Sequence, residues 1–342
     1  MISGKSMLQV KLSTNFPYSP FLRQTPDFGG KWGDYQFYIN DNTEECDWWV
    51  VYEGLNNAET VLCPKDRTIL ITDEPPTIKQ YNQDFLNQFN TVITCHRNLK
   101  HSNVINTQKA HPWMVGCRFV LGSKSSLERD CTKSYDELKA MRLPLPKTKL
   151  ISIVSSGKKS TPGHKRRLFF MEELKKYFQD KLDVYGRGIN NFSDKWDVIA
   201  PYKYHIAMEN TAHPDYYTEK LIDTFMGAAY PFYYGCSNIN DYFPVGALQV
   251  IDINDIQSSI QSIEKCLEEN IYEKNFNLIV ESRNLLLDAY NIFPFLCNEI
   301  FGARKEAPLK KTLITINPEV IKKPGFFQKA GRALNHFMGI DY

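Results

Sequence analysis

The sequence predicts an α/β protein built from two doubly wound domains facing a cleft. Three observations carry that expectation. The chain has 342 residues, enough for two domains at about 100–200 residues each. Its second half alternates apolar, strand-like runs with stretches of helical periodicity, the pattern of right-handed βαβ units and a parallel sheet. Its first half holds short, wholly apolar runs of the kind buried in parallel sheets.

The elements follow in order. Residues 8–12 alternate as a half-buried strand does. Residues 48–52 and 68–72 are short apolar runs bounded by acidic residues and turns, and read as buried strands. Residues 81–89 read as a helix and 91–94 as a strand. The pattern weakens from 121 to 147. Leu143-Pro144-Leu145-Pro146 cannot continue a helix or a central strand, which places a linker there. In the second half, strands are expected at 150–154, 182–185, 204–208, 231–234 and 248–251, and helices at 164–178, 218–229 and 256–269. The first of these helices puts Leu168, Met171, Leu174 and Phe178 on one face. Residues 276–301 read as one or two helices that cross back and brace both domains. The expected division is therefore 1–146, 147–302 and a tail at 303–342.

Composition narrows the class. Apolar residues make up 42% and charged residues 23%, which excludes disorder or a coiled coil as a whole-chain description. The formal net charge is +2. From Phe301 onward there are eight basic and three acidic residues, or +5, which leaves −3 for the rest of the chain. A body at −3 has no electrostatic footprint for nucleic acid. The eight cysteines are scattered, with Cys117 and Cys131 the nearest pair, and read as free thiols in a reducing compartment. Residues 1–12 lack a signal-peptide core, and the uncharged stretch 224–240 is broken by Gly227, Pro231 and Gly235. The expectation is a cytoplasmic protein without a transmembrane anchor.

Several common chemistries are missing from the sequence. There is no G-x-G-x-x-G, P-loop, H-E-x-x-H or G-x-S-x-G motif. No two aspartates stand two residues apart, so a D-x-D metal clamp for a diphosphate is missing too. A diphosphate ligand would then be neutralised by Arg, Lys and helix N-termini.

The informative block runs Tyr202-Lys203-Tyr204-His205-Ile206-Ala207-Met208-Glu209-Asn210-Thr211, then Asp215-Tyr216-Tyr217-Thr218-Glu219-Lys220-Leu221. A strand ends in a polar turn, and a short loop feeds a helix capped by Thr218. Ligands of open α/β sheets bind outside the carboxyl ends of strands. Asn210 and the Thr218–Lys220 turn should therefore border a ligand. The helix start and Lys220 suit a phosphate, although an ordinary capped helix with solvated Glu219 and Lys220 would show the same residues.

This block, with Pro231-Phe-Tyr-Tyr-Gly235 after it, resembles the signature of glycosyltransferase family 10, the α-1,3/1,4-fucosyltransferases, in their bacterial form. Order, spacing and residue types agree, and a looser resemblance spans residues 150–251. Met208 stands where the family has Phe. The resemblance implies a GT-B fold, with GDP-L-fucose bound by the C-terminal domain and the acceptor by the N-terminal one. It implies an inverting enzyme that moves fucose to an N-acetylglucosamine or glucose unit of a glycan, in cell-surface polysaccharide or lipopolysaccharide synthesis. No cofactor is obligatory, a divalent metal at most stimulating. The donor-site residues carried over are Asn210, Tyr216, Thr218, Glu219 and Lys220. Arg166 is preferred over Arg167 as the pyrophosphate arginine, because Phe169-Phe170 then fits the family's register. Tyr185-Gly186-Arg187 resembles the family's strand-end turn at the nucleotide. The general base is a carboxylate before a proline, here in Thr72-Asp73-Glu74-Pro75-Pro76, with Glu74 favoured over Asp73.

His96, His101 and His111 are candidates for an acceptor groove, and Trp113 and Tyr81 for sugar stacking. In the tail, Phe326, Phe327, Ala330, Leu334 and Phe337 can share one helical face beside Lys329 and Arg332. That pattern suits peripheral contact with an anionic membrane, at the inner face of the cytoplasmic membrane. A transferase using another nucleotide sugar, or a non-catalytic nucleotide-sugar or glycan-binding protein, would share many of these features.

Overall fold

The computed structural model describes residues 7–16, 20–119, 129–155, 162–186, 189–302 and 310–320. They form two compact units. Of the described residues, the first takes those within 7–111, 134–136 and 289–320. The second takes 112–133 and 137–288.

The first unit is built on a seven-stranded sheet. Its strands are β1 (Leu8–Thr14), β2 (Lys31–Trp32), β3 (Tyr35–Ile39), β4 (Trp48–Tyr52), β6 (Thr68–Ile71), β7 (Thr91–Thr94) and β8 (Val104–Asn106), with β5 (Glu59–Pro64) outside it. The order is β2-β3-β1-β4-β6-β7-β8, all parallel except the edge strand β2. The central strands are buried on both faces, which is why Trp48–Tyr52 reads as an unbroken apolar run. Val10, Leu12, Val50, Ile69 and Ile93 face a layer formed by residues 292–301. Phe301 stacks on Trp48 at 4.3 Å between ring centres, and Phe293 meets Phe37 edge-on at 4.8 Å. Trp49, Val51, Leu70 and Val92 face the other way, onto Phe85, Leu86 and Phe89. The helix expected over 81–89 is shorter, Gln83–Leu86, with Asn82 as its cap.

A further strand, Lys311–Ile316, pairs antiparallel with β5. These residues lie in the segment expected to be a tail, so the expectation is corrected for them: the alternating Lys-Thr-Leu-Ile-Thr-Ile run is a strand whose Ile316 enters the core. Residues 303–309 and 321–342 lie outside the described residues, and with them the membrane-contact expectation. No helix among the described residues is long and apolar enough to cross a membrane. All eight cysteines are free thiols.

The second unit begins with a short antiparallel pair, β9 (Cys117–Phe119) and β10 (Arg129–Cys131). Its main sheet is wholly parallel and contains β11 (Lys149–Val154), β12 (Leu182–Tyr185), β13 (Tyr202–Met208), β14 (Tyr230–Tyr234) and β15 (Gln249–Val250). The order is β12-β11-β13-β14-β15. Helix Pro162–Phe178 links β11 to β12, helix Lys195–Ile199 links β12 to β13, helix Glu219–Met226 links β13 to β14, and helix Ile256–Glu268 follows β15. Helix Phe276–Asp288 stays with this unit, whereas 292–301 packs in the first, so each part of the expected bracing pair serves one unit. From β11 the chain goes to β12 on one side, then returns to β13 on the other. The direction of winding therefore reverses between β11 and β13, and a crevice opens outside their carboxyl ends.

Candidate functional site

At that reversal lies a pocket. Its walls include Ser155 just beyond β11, Arg167 on helix Pro162–Phe178, Lys195 on helix Lys195–Ile199, His205 and Met208 on β13, and Lys220 on helix Glu219–Met226. Three cationic side chains thus converge where the topology alone predicts a ligand.

The helix start is built from the motif itself. The Thr218 hydroxyl accepts from the Lys220 amide at 3.4 Å, as an N-cap does. Thr218 is held in turn by Glu209, whose carboxylate accepts from the Thr218 amide at 2.8 Å and from its hydroxyl at 2.7 Å. Glu209 is fully buried. Gly235 makes room for it, since a Cβ there would lie 2.4 Å from Glu209 Cγ. Lys220 Nζ sits 3.0 Å from Glu219 and 3.5 Å from Glu209. Burial alone would lower the lysine's pKa, but Glu219 and Glu209 outweigh it and hold the ammonium above its ordinary value. Lys220 is therefore a fixed positive charge. Asn210 Oδ1 is buried with no hydrogen-bond partner among the described residues, a polar atom placed for a ligand donor.

The loop before the helix is also pinned. Asp215 adopts φ +60°. It is held by Asn238, 2.8 Å from both its amide and its carboxylate, and by the Tyr242 hydroxyl at 2.7 Å. This fixes the buried Tyr216 and Tyr217 that follow.

The structure gathers Asn210, Tyr216, Thr218, Glu219 and Lys220 in one stretch, but it rearranges two other expectations. Arg166 is exposed and reaches Asn254 at 3.3 Å, away from the pocket. Arg167 is the arginine on the pocket wall, buried, with Nη1 3.4 Å from the Met208 carbonyl. Successive helical residues point about 100° apart, so one position decides which arginine faces the sheet. Tyr185 is also displaced. Its hydroxyl lies 2.7 Å from the Tyr202 hydroxyl and 3.4 Å from Lys149 Nζ, both at the amino ends of their strands. Gly186 packs against Ser155: a Cβ would lie 1.8 Å from the Ser155 carbonyl oxygen, so only glycine lets β12 end there. Arg187 lies outside the described residues.

In the first unit, Asp73 and Glu74 follow β6, as expected. Asp73 is a committed anchor. Its Oδ1 accepts from Tyr52 Oη at 2.8 Å and lies 2.8 Å from Lys109 Nζ and 3.0 Å from His111 Nδ1. Burial alone would raise its pKa, but Lys109 and His111 outweigh it and hold the carboxyl far below the usual carboxylate range. Such a group is a poor proton acceptor. Glu74 is half-buried, with its backbone gripped on both sides: its amide donates to Tyr81 Oη at 3.1 Å, and its carbonyl is 2.9 Å from His96 Nε2. Tyr81 in turn donates to the buried Glu53 at 2.5 Å. His101 bridges the carbonyls of Asn103 and Phe89, and Trp113 is core, donating to the Lys133 carbonyl. Both serve the fold.

Arg167, Lys195, Glu209, His205 and Asp223 belong to the site's framework; in the sequence Arg167 is only the alternative to Arg166, and Lys195, His205 and Asp223 are not singled out. Of these, Glu209 carried a signal, its place inside the Glu-Asn-Thr turn.

The architecture is of GT-B type: two units, each centred on a parallel sheet. A solved α-glucosyltransferase in complex with UDP shares it, with TM-score 0.50 and 9% identity, covering 87% of this chain and 100% of that one. A solved α1,3-fucosyltransferase with GDP aligns at TM-score 0.49 and 16% identity, over 85% of this chain and 94% of that one. Residues 143–277 match the profile of the glycosyltransferase family 10 (fucosyltransferase) C-terminal region. The segment holds the whole cationic pocket. Among curated relatives, the gorilla 4-galactosyl-N-acetylglucosaminide 3-alpha-L-fucosyltransferase FUT6 is 32% identical over 117 residues, 33% of this chain and 31% of that protein. The zebrafish GDP-fucose protein O-fucosyltransferase 3 is 28% identical over 119 residues, 30% of this chain and 26% of that protein. The chain thus spans about a third of the length of the curated relatives it matches.

Proposed function

We propose that this chain is an inverting, metal-independent transferase that moves L-fucose from GDP-fucose to a hydroxyl of an acceptor glycan. The observation that carries the reading is the convergence of Arg167, Lys220 and a Thr218-capped helix start at the sheet's reversal, inside the segment that matches the fucosyltransferase family. The acceptor is taken to be an N-acetylglucosamine or glucose unit, in line with the name of the gorilla relative.

The roles follow from the bond that breaks. The bond between the fucose anomeric carbon and the phosphate oxygen cleaves, and its electron pair goes to the departing GDP. Arg167, Lys220 and the helix N–H groups meet that growing charge in a desolvated pocket, where fixed donors are worth most. Glu219 accepts from a donor hydroxyl, Asn210 Oδ1 takes another ligand N–H or O–H, and Tyr216 packs against the nucleotide. The acceptor oxygen bonds to the anomeric carbon from the opposite face, and its proton passes to a carboxylate. Glu74 is the proposed base. Its backbone is held in place, and its neighbour Asp73 is already engaged by three partners.

Calorimetry on Lys220→Ala tests the donor site. GDP affinity should fall by about tenfold or more, the worth of a charge-assisted contact. An affinity equal to that of the parent chain would remove Lys220 from the site.

A further inference from the structure

Lys195 shares the pocket wall with Arg167 and Lys220, yet lies outside the Glu-Asn-Thr and Thr-Glu-Lys motifs. It opens the short helix Lys195–Ile199, behind an Asp194 cap. Only 3% of the residue is exposed. Its ammonium is 2.7 Å from Asp223 Oδ2 and 3.8 Å from Glu219 Oε1.

Asp223 sits one turn beyond Glu219 on the donor helix and is fully buried. One of its oxygens accepts from the amides of Met114 and Val115, at 2.6 and 3.0 Å, and the other holds Lys195. Asp194, beside Lys195, also takes the Gly116 amide at 2.8 Å. Three consecutive amides and two carboxylates therefore fix the base from which Lys195 projects. Burial pushes the Asp223 carboxyl up, and the Lys195 charge pulls it back.

Stability alone is a weak reason for this arrangement. A buried ion pair is commonly no better than an apolar pair of the same volume. What the pair does provide is an immobile positive charge on the pocket wall. Lys220 is mounted in the same way, with Glu209 and Glu219 behind it. Lys195 and Lys220 are thus paired with buried carboxylates before any ligand arrives, and a diphosphate meets cations already oriented at no further cost in ordering.

We propose that Lys195 is a third cation for the donor diphosphate, and that Asp223 is the positioning residue that aims it. The proposal rests on the donor reading given above. Lys195 contributes as the anomeric carbon–oxygen bond breaks and the electron pair settles on the phosphate oxygen, while the acceptor's proton leaves by the base described there.

The test is calorimetry with GDP and with guanosine on the full chain and four variants. Lys195→Met with Asp223→Asn removes both charges together, so no buried carboxylate is orphaned. This double variant should lose GDP affinity by about tenfold or more while binding guanosine as the parent does. Lys195→Arg should restore most of the GDP affinity. Asp223→Asn alone should raise KM for GDP-fucose and leave KM for the acceptor unchanged. The Lys220→Ala variant is the control for the donor site itself. A parent chain without GDP affinity would overturn the donor reading. A parent that binds GDP, with a double variant whose GDP and guanosine affinities stay equal to the parent's or fall together, would leave that reading standing and overturn the role of Lys195.

Discussion

His205 gives the pocket's electrostatics a pH test. It lies on β13, buried, with Nδ1 2.8 Å from Ser152 Oγ, and shares the pocket wall with Arg167, Lys195 and Lys220. Burial first, and Lys195 second, push its imidazole down to about 3 from an ordinary 6.5. In the unfolded chain the ring takes up a proton below about pH 6.5, whereas in the folded chain it stays neutral to about pH 3. The unfolded state therefore binds the proton first. The contribution is fully present above pH 6.5 and declines as pH falls through that window. Between pH 7 and pH 5 the loss is about 2 kcal/mol, or about 4–8 °C in melting temperature for a domain of this size. The assay is thermal unfolding at the two pH values for the parent and for His205→Asn, in which the amide oxygen replaces Nδ1 but does not titrate. Other titrating groups are common to both proteins and cancel. The variant should lack about 2 kcal/mol of the parent's pH dependence. An identical pH dependence in the two proteins would refute a neutral, buried His205.

Two further predictions concern residues that the sequence left in pairs. Arg167→Ala should weaken GDP binding by about tenfold or more, and Arg166→Ala should change it by about twofold at most; calorimetry separates them, and the reverse ranking would mean that helix Pro162–Phe178 is rotated from the orientation described. Glu74→Gln should abolish transfer while GDP affinity stays at the parent level. Asp73→Asn should instead act on the fold, since it breaks a buried pairing with Lys109 and His111, at a cost of about 3–5 kcal/mol in urea unfolding.

Much of the second unit was legible in the sequence. Its strands β13 and β14 are largely buried on both faces and read as apolar runs, and helix Glu219–Met226 announces itself by a capping threonine. The first unit was legible only in part. Trp48–Tyr52 and Thr68–Ile71 are unmistakable, but Lys311–Ile316 alternates like any half-exposed edge and finds its partner, β5, about 250 residues away. No local pattern encodes a pairing at that separation. Similarly, the aromatic layer at 292–301 covers the first unit although it follows a helix of the second.

The site divides along the same line. Asn210, Thr218, Glu219 and Lys220 are visible because they lie together in one motif. Arg167 differs from Arg166 by one helical position, and residue type cannot choose between them. Lys195 and Asp223 look like solvated charges in sequence, and only burial reveals that they face one another. Tyr185 erred in the opposite sense, since its strand ends at the crevice while its hydroxyl turns back toward Tyr202.

The central claim is transfer of fucose from GDP-fucose, and NMR of the products formed by the full chain tests it most directly. With GDP-β-L-fucose and a glycan bearing N-acetylglucosamine, the predicted result is equimolar GDP and an α-L-fucoside, the inverted configuration. Absence of GDP release with such acceptors, or a β-linked product, would contradict it.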